Sequence, residues 1–485
     1  MNYKMIFSTV GKVALIEAGL LILPLAVSLI YFEWTVALSF AITALIALAI
    51  YGLIKLFVKP TSSVIFSKEG LIIVALTWIV ASLIGCLPFI LTGDIPNFID
   101  ALFETVSGFT TTGASILPDV EKMSKGCMFW RCFTHWIGGM GIIVFVIAIT
   151  SKSTDRSLHI LRAEMPGPTV DKIVPRAKDT AKILYIIYMV MTAVLVIMLV
   201  CGGMPLYDSL IHSFGTAGTG GFGMKNNGIA GYNSYCQWVI AIFMIIFGVN
   251  FNLYYLILLR KAKYAFKSEE LWAYLAIILV SIAVITGNLI YSIEGTAIGE
   301  AIRHSTFQVA SIISTSGFST TTFNDWPTLS KTVLFILMFI GGCAGSTAGG
   351  FKVSRVVLIG KSINRDLKRV LHPRNTSVIK VDGKRVDETT ANGVVSYFSI
   401  YAVCLVVMFL LISFENFSIM TNLSAVVTCF NNVGPSFYQA GELVNGSLSV
   451  YTPFSKIVLT VAMLLGRLEI YPLLLTLLPS TWIKK

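Results

Sequence analysis

The chain is dominated by long runs of apolar residues that short polar intervals separate. Ten such runs lie at residues 13–32, 34–58, 70–91, 132–150, 181–201, 236–259, 271–291, 331–360, 393–414 and 456–478, and the eighth of them is interrupted. A helix needs about 20 predominantly apolar residues to cross the hydrocarbon core of a bilayer. The pattern therefore predicts an all-α polytopic membrane protein, and it excludes a soluble enzyme and a nucleic-acid-binding protein.

Shorter pieces between these runs have a different character. After the first two runs, a long apolar run is repeatedly followed by about 15 moderately apolar residues rich in small side chains, and then by a polar stretch centred on glycine. Such pieces are too short to span a bilayer and too apolar for ordinary loops, which is typical of re-entrant half-helices.

The glycine-centred stretches share one pattern. Their central glycines, Gly113, Gly221, Gly317 and Gly434, are spaced 108, 96 and 117 residues apart. Two positions earlier each stretch has a polar residue, and six positions earlier it has a small one: Ser107, Gly215, Ser311 and Thr428. Four copies of one unit are predicted. The alternative is that small residues merely let helices approach closely, but packing does not require a polar turn behind a short helix four times.

Each unit is predicted to consist of a helix, a re-entrant helix with its loop, and a second helix. The predicted organisation is a helix pair at 1–60, followed by units at 61–155, 156–265, 266–375 (with a broken second helix) and 376–485. Composition agrees with this arrangement, since 55% of the residues are hydrophobic and 13% are charged.

The net charge of +11 becomes an orientation signal once the loops are assigned. With the N-terminus inside and the re-entrant loops entering from outside, 28 of the 36 basic residues are cytoplasmic, a strong positive-inside bias. The other eight are Lys122, Lys125, Arg131, Lys225, Arg303, Lys331, Lys456 and Arg467. We expect a multi-pass protein of the cell membrane with both termini in the cytoplasm.

Four such loops around one axis are expected to line an ion path. Glycine permits backbone conformations in which successive carbonyl oxygens point the same way and replace the hydration shell of a cation. No ring of Asp or Glu lies in the loops, which argues against Ca²⁺ and Mg²⁺. Hydroxyl and amide side chains there either ligate the ion or brace the loops. The candidate ligands are Thr111, Thr112, Gly113, Thr219, Gly220, Gly221, Thr315, Ser316, Gly317, Asn432, Val433 and Gly434.

The interrupted run contains a second motif. Residues 339–352 include five glycines together with Ser and Thr, so the helix is expected to break there. A nucleotide-binding loop is rejected, because the motif lacks Gly-Lys-Ser/Thr and no predicted strand precedes it. A plain kink for helix packing is the remaining alternative.

Arg467 is a charge within the last apolar run. A charge at the centre of a spanning helix costs at least about 2.5–3.5 kcal/mol on insertion scales, which makes this arginine a candidate functional residue. The alternative is an internal ion pair with Glu469.

Together these features resemble the superfamily of K⁺ transporters, specifically the bacterial Trk-type (TrkH/TrkG) potassium uptake membrane subunits, which are related to KtrB. The resemblance covers nearly the whole chain. It implies four M1–pore helix–M2 repeats around a pseudo-four-fold pore, an extra N-terminal helix pair, and K⁺ uptake with the four central glycines in the selectivity filter. None of the loops reads TVGYG, so the tight filter of a tetrameric K⁺ channel is not implied.

The resemblance also implies a gate below the filter. It consists of an intramembrane loop and of Arg467, which projects into the pore as an electrostatic barrier. The loop residues are Gly345, Ser346, Thr347, Ala348, Gly349 and Gly350. His135 and Trp136 match a family pattern as well, but helix packing is the role expected of them.

Partners follow from the cytoplasmic stretch 361–385, which is rich in Lys and Arg. Such a stretch favours binding to lipid headgroups, whereas the resemblance implies docking of a cytosolic TrkA-type regulatory subunit that binds NAD(H) and adenine nucleotides, and a homodimer. The chain has no dinucleotide-binding βαβ unit of its own, so no organic cofactor is expected.

The predicted function is K⁺ conduction into the cell through a gated, carbonyl-lined filter, with K⁺ as the transported ion. The alternative is an H⁺- or Na⁺-coupled symporter, but no chain of membrane-centred Asp, Glu or His residues is evident, and four repeats in one orientation differ from two inverted halves. A membrane-embedded enzyme is not expected, because the five histidines lack metal-ligand spacing.

Overall fold

The structure is a computed structural model that describes residues 2–58, 67–141, 177–293, 295, 297–372 and 378–482. Within these ranges helices form nearly all the regular structure, so the prediction of an all-α protein is confirmed. Part of the predicted run at 132–150 and Arg374 of the basic stretch lie outside the described residues.

The N-terminal helices form a pair. The first span contains α1 (Tyr3–Leu20) and α2 (Ile22–Ile30), and the second is α3 (Trp34–Phe57). Helix α1 packs against α3 and also against α4 (Ser67–Gly85). The pair therefore lies beside the first of the four units rather than among them.

In the four stretches that follow, a long helix precedes a short one and then a third helix. The first stretch has α4, α5 (Leu87–Thr92), α6 (Phe98–Phe109) and α7 (Lys125–Gly139). The second has α8 (Ala177–Cys201), α9 (Leu206–Gly218), α10 (Ser234–Phe247), α11 (Phe251–Leu258) and the single turn α12 (Ala262–Ala265).

The last two stretches keep this order. The third has α13 (Glu269–Ser292), α14 (Ile298–Ile313), α15 (Thr328–Ile340) and α16 (Val353–Leu371), and a hairpin of β1 (Lys380–Val381) and β2 (Lys384–Arg385) follows it. The fourth has α17 (Glu388–Ile412), α18 (Ile419–Phe430), α19 (Pro453–Arg467), α20 (Tyr471–Leu477) and α21 (Pro479–Trp482). This order agrees with the predicted units, whose boundaries stay predictions.

Six helical spans in the described residues are long and apolar enough to cross a membrane, or seven if the bent pair α10 and α11 counts as one. Only 22% of the apolar stretch of α17 is buried, whereas 9 of the 12 residues of the short helix α18 are buried. Five of these six spans are at most 39% buried and so face outward, whereas the span formed by α4 and α5 is 67% buried. The short helices with their loops lie toward the centre of the molecule.

Capping side chains define where the third helix of three stretches begins. The side chains of Ser124, Asn233 and Thr452 accept hydrogen bonds from backbone N–H groups of the first turns of α7, α10 and α19. Such caps satisfy N–H groups that have no partner within the helix.

One predicted span is bent in the structure. The run at 236–259 was expected as a single helix, but it turns by 90° between α10 and α11. Asn250 starts the new helix because its side-chain oxygen accepts a hydrogen bond from the N–H of Asn252 at 2.9 Å. Gly248 precedes the bend and lies against the hydroxyl of Tyr274, where a side chain has no room.

Tight packing between α7 and α6 yields a stability prediction. A Cβ at Gly138 would overlap the carbonyl oxygen of Phe109, whereas a Cβ at Gly360 on α16 would meet no atom within 4 Å. We expect Gly138→Ala to lower the free energy of unfolding by about 1–3 kcal/mol. Gly360→Ala should be neutral or stabilising by up to about 1 kcal/mol, because alanine favours helices over glycine. Thermal unfolding of the purified protein in detergent measures both, and equal melting temperatures would contradict the packing.

Candidate functional site

The four short helices end in the same backbone turn. Thr111, Thr219, Thr315 and Asn432 have φ of 56°, 56°, 56° and 55°, a left-handed conformation that is uncommon outside glycine. Two residues later the glycines Gly113, Gly221, Gly317 and Gly434 also have positive φ. Strained backbone of this kind persists only where surrounding contacts enforce it, and it clusters at functional sites.

One hydrogen bond recurs in all four turns. The N–H of the residue before each glycine donates to the carbonyl oxygen five residues earlier in the chain, at 2.8–2.9 Å. The donor–acceptor pairs are Thr112 and Ser107, Gly220 and Gly215, Ser316 and Ser311, and Val433 and Thr428. The acceptors are the four small residues that the sequence repeat singled out.

The loops contact one another in a closed cycle. A Cβ built on Gly434 would lie 2.7 Å from the carbonyl oxygen of Thr112, and one on Gly317 would lie 2.5 Å from that of Val433. Cβ atoms on Gly113 and Gly221 would be nearer still to the carbonyl oxygens of Gly220 and Ser316. Each loop thus seats its glycine against the next, in the order first, second, third, fourth and back to the first.

Accessibility within the loops follows the same four-fold pattern. The central glycine of every loop is partly exposed, whereas the two residues before it are buried. The closed cycle of contacts brings together all twelve residues predicted from the sequence. Within this group the four central glycines are the accessible residues.

Hydroxyl side chains of the loops and of the short helices form hydrogen bonds with nearby protein groups. The hydroxyls of Ser107, Ser311 and Thr428 donate to the carbonyl oxygen of the residue after the glycine, at 2.5, 2.6 and 2.9 Å. The hydroxyls of Thr110 and Thr112 share a hydrogen bond of 2.7 Å, and those of Ser314 and Ser316 share one of 2.8 Å. Of the two roles that the sequence left open, these contacts favour bracing over ligation.

The interrupted helix breaks at residues 341–352, as predicted, and the irregular segment packs directly against the loops. The N–H of Gly349 donates to the hydroxyl of Thr315 at 2.6 Å, and Thr347 donates through its hydroxyl to the carbonyl oxygen of Phe247 at 3.2 Å. A Cβ at Gly349 would lie 2.6 Å from the carbonyl oxygen of Asn431. We call residues 341–352 the intramembrane loop.

Arg467 reaches the intramembrane loop from the end of α19. Its guanidinium donates to the carbonyl oxygen of Thr347 at 2.8 Å and to those of Gly138 and Gly139 at 2.5 and 2.7 Å. It lines a cavity together with Trp78, Lys352 and the loop residues Gly345, Ser346, Ala348, Gly349 and Gly350.

The alternative partner proposed for Arg467 is engaged elsewhere. Glu469 forms an ion pair with Arg355 of α16. Glu469 and the following Ile470 both have positive φ, so the chain reverses direction between α19 and α20 and carries the carboxylate toward α16. Arg467 instead takes backbone carbonyl oxygens as its acceptors.

Sequence reasoning missed two charged residues that hold the intramembrane loop. The carboxylate of Glu270 accepts hydrogen bonds from the N–H groups of Ala344 at 2.7 Å and Ser354 at 3.1 Å, and so joins both ends of the loop. Buried Lys352 donates to the carbonyl oxygen of Ala348. The signal in the sequence was a charge beside an interrupted apolar run, which is costly unless it has a partner.

The sequence also matches a known protein family and its relatives. The family described as "TrkH: Cation transport protein" matches residues 38–484. The chain is 35% identical to the Trk system potassium uptake protein TrkH of Salmonella typhimurium, over 99% of this chain and 100% of that protein. It is 31% identical to TrkG of Escherichia coli, over 95% and 94% of the two chains.

Solved structures give the same answer. The crystal structure of the potassium transporter TrkH from Vibrio parahaemolyticus superposes with a TM-score of 0.89, at 32% sequence identity and with complete coverage of both chains. The resemblance noted in the sequence is confirmed, and the chain belongs to the TrkH family of cation transport proteins, which are integral to the membrane.

Proposed function

We propose that this protein is the pore-forming subunit of a K⁺ uptake system and that the four loops form its selectivity filter. The observation that carries this proposal is the closed cycle in which each central glycine lies against the carbonyl oxygen of the neighbouring loop. A closed cycle places backbone oxygens from all four loops around one axis. Relatives that match over at least 94% of both chains are named as potassium uptake proteins.

Carbonyl oxygens suit an alkali cation. They replace its hydration shell without the fixed negative charge that hard divalent ions favour. The short helices α6, α9, α14 and α18 end at the loops, so the partly negative ends of four helix dipoles point at the same place. The chain thereby attracts K⁺ and repels anions, with carbonyls near Thr112, Gly220, Ser316 and Val433 as the ligands.

Driving force comes from the membrane potential, which is worth about 2.3 kcal/mol per charge per 100 mV. With both termini in the cytoplasm, the loops enter from the outside and the intramembrane loop lies between the filter and the cytoplasm. Uptake then follows the inward electrical gradient without a coupled ion.

Gating is assigned to the intramembrane loop and Arg467. The guanidinium binds the loop through Thr347 and binds the end of α7 through Gly138 and Gly139, so it holds the loop in place below the filter. A fixed positive charge there also raises the energy of a passing cation. Opening requires that the loop and the guanidinium move together.

Regulation is assigned to a cytosolic nucleotide-binding subunit of the TrkA type, with a homodimer as the assembly. Helix α16 leads directly from the intramembrane loop into the basic stretch. A partner or lipid headgroups bound to that stretch can therefore shift α16 and, with it, the intramembrane loop. Lys361 pairs with Glu269, and Arg365 and Arg369 approach Glu388, which ties α16 to α13 and α17.

Substitution of a loop glycine tests the filter. Gly221→Ala places a methyl group against the carbonyl oxygen of Ser316, at a residue whose φ is +75°. Gly93→Ala is a matched control, because Gly93 has a φ of +80° but a Cβ there meets no atom within 4 Å. The two variants share the backbone strain, and only the first crowds the filter.

We expect Gly221→Ala to reduce Rb⁺ and K⁺ uptake at least tenfold in cells that lack their own K⁺ uptake, at equal amounts in the membrane. Gly93→Ala should retain uptake within a factor of about two, since it costs only the local strain of about 1 kcal/mol. Normal uptake by Gly221→Ala would remove the basis of the filter assignment.

Replacement of Arg467 tests the gate. Arg467→Met removes both the charge and the three hydrogen bonds, so we expect the unstimulated ion flux in liposomes to rise severalfold. Arg467→Lys keeps the charge and should stay close to the wild-type flux, because a cation in the pathway still repels K⁺. If both variants leaked equally, the charge would have no role in the barrier.

A further inference from the structure

The second loop lacks a contact that the other three loops share. Ser107, Ser311 and Thr428 each donate a hydroxyl to the carbonyl oxygen of the residue after the central glycine. In the second unit this position is Gly215, which has no side chain to donate. The carbonyl oxygen that would receive the bond belongs to Phe222.

Helix α7 of the first unit holds this segment instead. The N–H of Phe222 donates to Nε2 of His135 at 3.3 Å, and the other ring nitrogen, Nδ1, lies 2.7 Å from the carbonyl oxygen of Gly108 at the end of α6. Because Nε2 accepts, the proton of the neutral ring must be on Nδ1, which donates to Gly108. One imidazole thus joins the end of the first short helix to the second loop.

Arg131, one helical turn earlier, contacts the next residue of the same loop. Its Nη1 donates to the carbonyl oxygen of Gly223 at 3.3 Å, and its guanidinium lies 3.4 Å from the ring centroid of Phe222. The thiol of Cys132 also donates to the carbonyl oxygen of Phe222 at 3.6 Å. Three side chains of α7 therefore surround a segment that receives no hydroxyl hydrogen bond from position 215 of its own short helix.

The same arginine is connected to the first loop through Glu104 of α6. Its Nε donates to Glu104 at 2.6 Å, and Glu104 in turn accepts the hydroxyl of Ser115 at 2.9 Å and the N–H of Ile116 at 3.0 Å. Arg131 and Glu104 are each at least 97% buried. Separation of such a pair would leave two unpaired buried charges, so the two side chains stay in contact.

The ring of His135 also packs closely against the second loop. A Cβ at Gly220 would overlap the ring of His135, so the second loop lies directly on the imidazole. The imidazole and the ring of Phe222 pack at a centroid distance of 4.2 Å. A change in the position of this ring has to move the loop.

We propose that His135 and Arg131 are positioning residues of the filter: helix α7 of the first unit sets the backbone of the second loop, in place of the hydroxyl that does so in the other three. This inference rests on the proposed function, since it concerns the loops that form the filter. Under this proposal, helix α7 of the first unit influences which ion the second loop selects.

The main test is His135→Phe, which keeps an aromatic ring against Phe222 but loses both hydrogen bonds. In cells without other K⁺ uptake we expect the KM for K⁺ to rise about 2- to 10-fold, the effect of one or two lost hydrogen bonds, with the maximal rate and the amount in the membrane nearly unchanged. Na⁺ should inhibit K⁺ uptake more strongly than in the wild type.

Three further variants sharpen the result. Trp136→Phe is the matched control: it alters the next residue of α7 and loses one hydrogen bond, to Thr192, and its KM should stay at the wild-type value. Ser311→Ala removes the equivalent hold on the third loop and should reproduce the changes in KM and Na⁺ inhibition. Arg131→Lys keeps the charge beside Glu104 and should shift both in the same direction.

Unchanged KM and unchanged Na⁺ inhibition in His135→Phe, at normal amounts in the membrane, would overturn the inference. Failure of His135→Phe and Arg131→Lys to insert would also overturn it, because both residues would then serve folding. The proposed function fails separately, when the wild-type chain itself does not restore K⁺ uptake.

Discussion

The mutual contact of the four loops is the constraint on which the rest of the structure depends. Each short helix ends in a left-handed residue that turns the chain, and each glycine then approaches the backbone of the next loop more closely than any side chain permits. The left-handed residues are Thr or Asn, whose strained backbone persists only where surrounding contacts enforce it, and both the hydrogen bonds within each unit and the contacts with the next loop do so. The four units are therefore interdependent although their sequences differ.

Buried and half-buried charges connect this ring to its surroundings. Arg131 and Glu104 join two loops, Glu270 joins the ends of the intramembrane loop, and Arg355 with Glu469 fixes α16 to the turn after α19. Such groups are expensive in a membrane and persist where partners satisfy them. They lie where helices meet, so that a displaced charge would also displace the four loops or the intramembrane loop.

The repeats and the helix break could be predicted because local sequence marks them with glycines, small residues and apolar runs. The left-handed conformation of Thr111, Thr219, Thr315 and Asn432 could not, because the sequence shows only that these positions are polar. The 90° bend after Phe247 was not predicted. Gly248 lies there against the hydroxyl of Tyr274, and local sequence does not reveal this contact with another unit. His135 was assigned to packing for the same reason. Its hydrogen-bond partners, Gly108 and Phe222, lie 27 and 87 residues away.

The most direct test of the central claim is a crystal structure of the protein soaked in Rb⁺ or Tl⁺, with anomalous scattering used to locate the ion. The account predicts a peak on the axis between the four loops, within ligand distance of backbone carbonyl oxygens that include those next to Gly113, Gly221, Gly317 and Gly434. A peak found only away from this ring, or coordination by side chains of one unit alone, would contradict it.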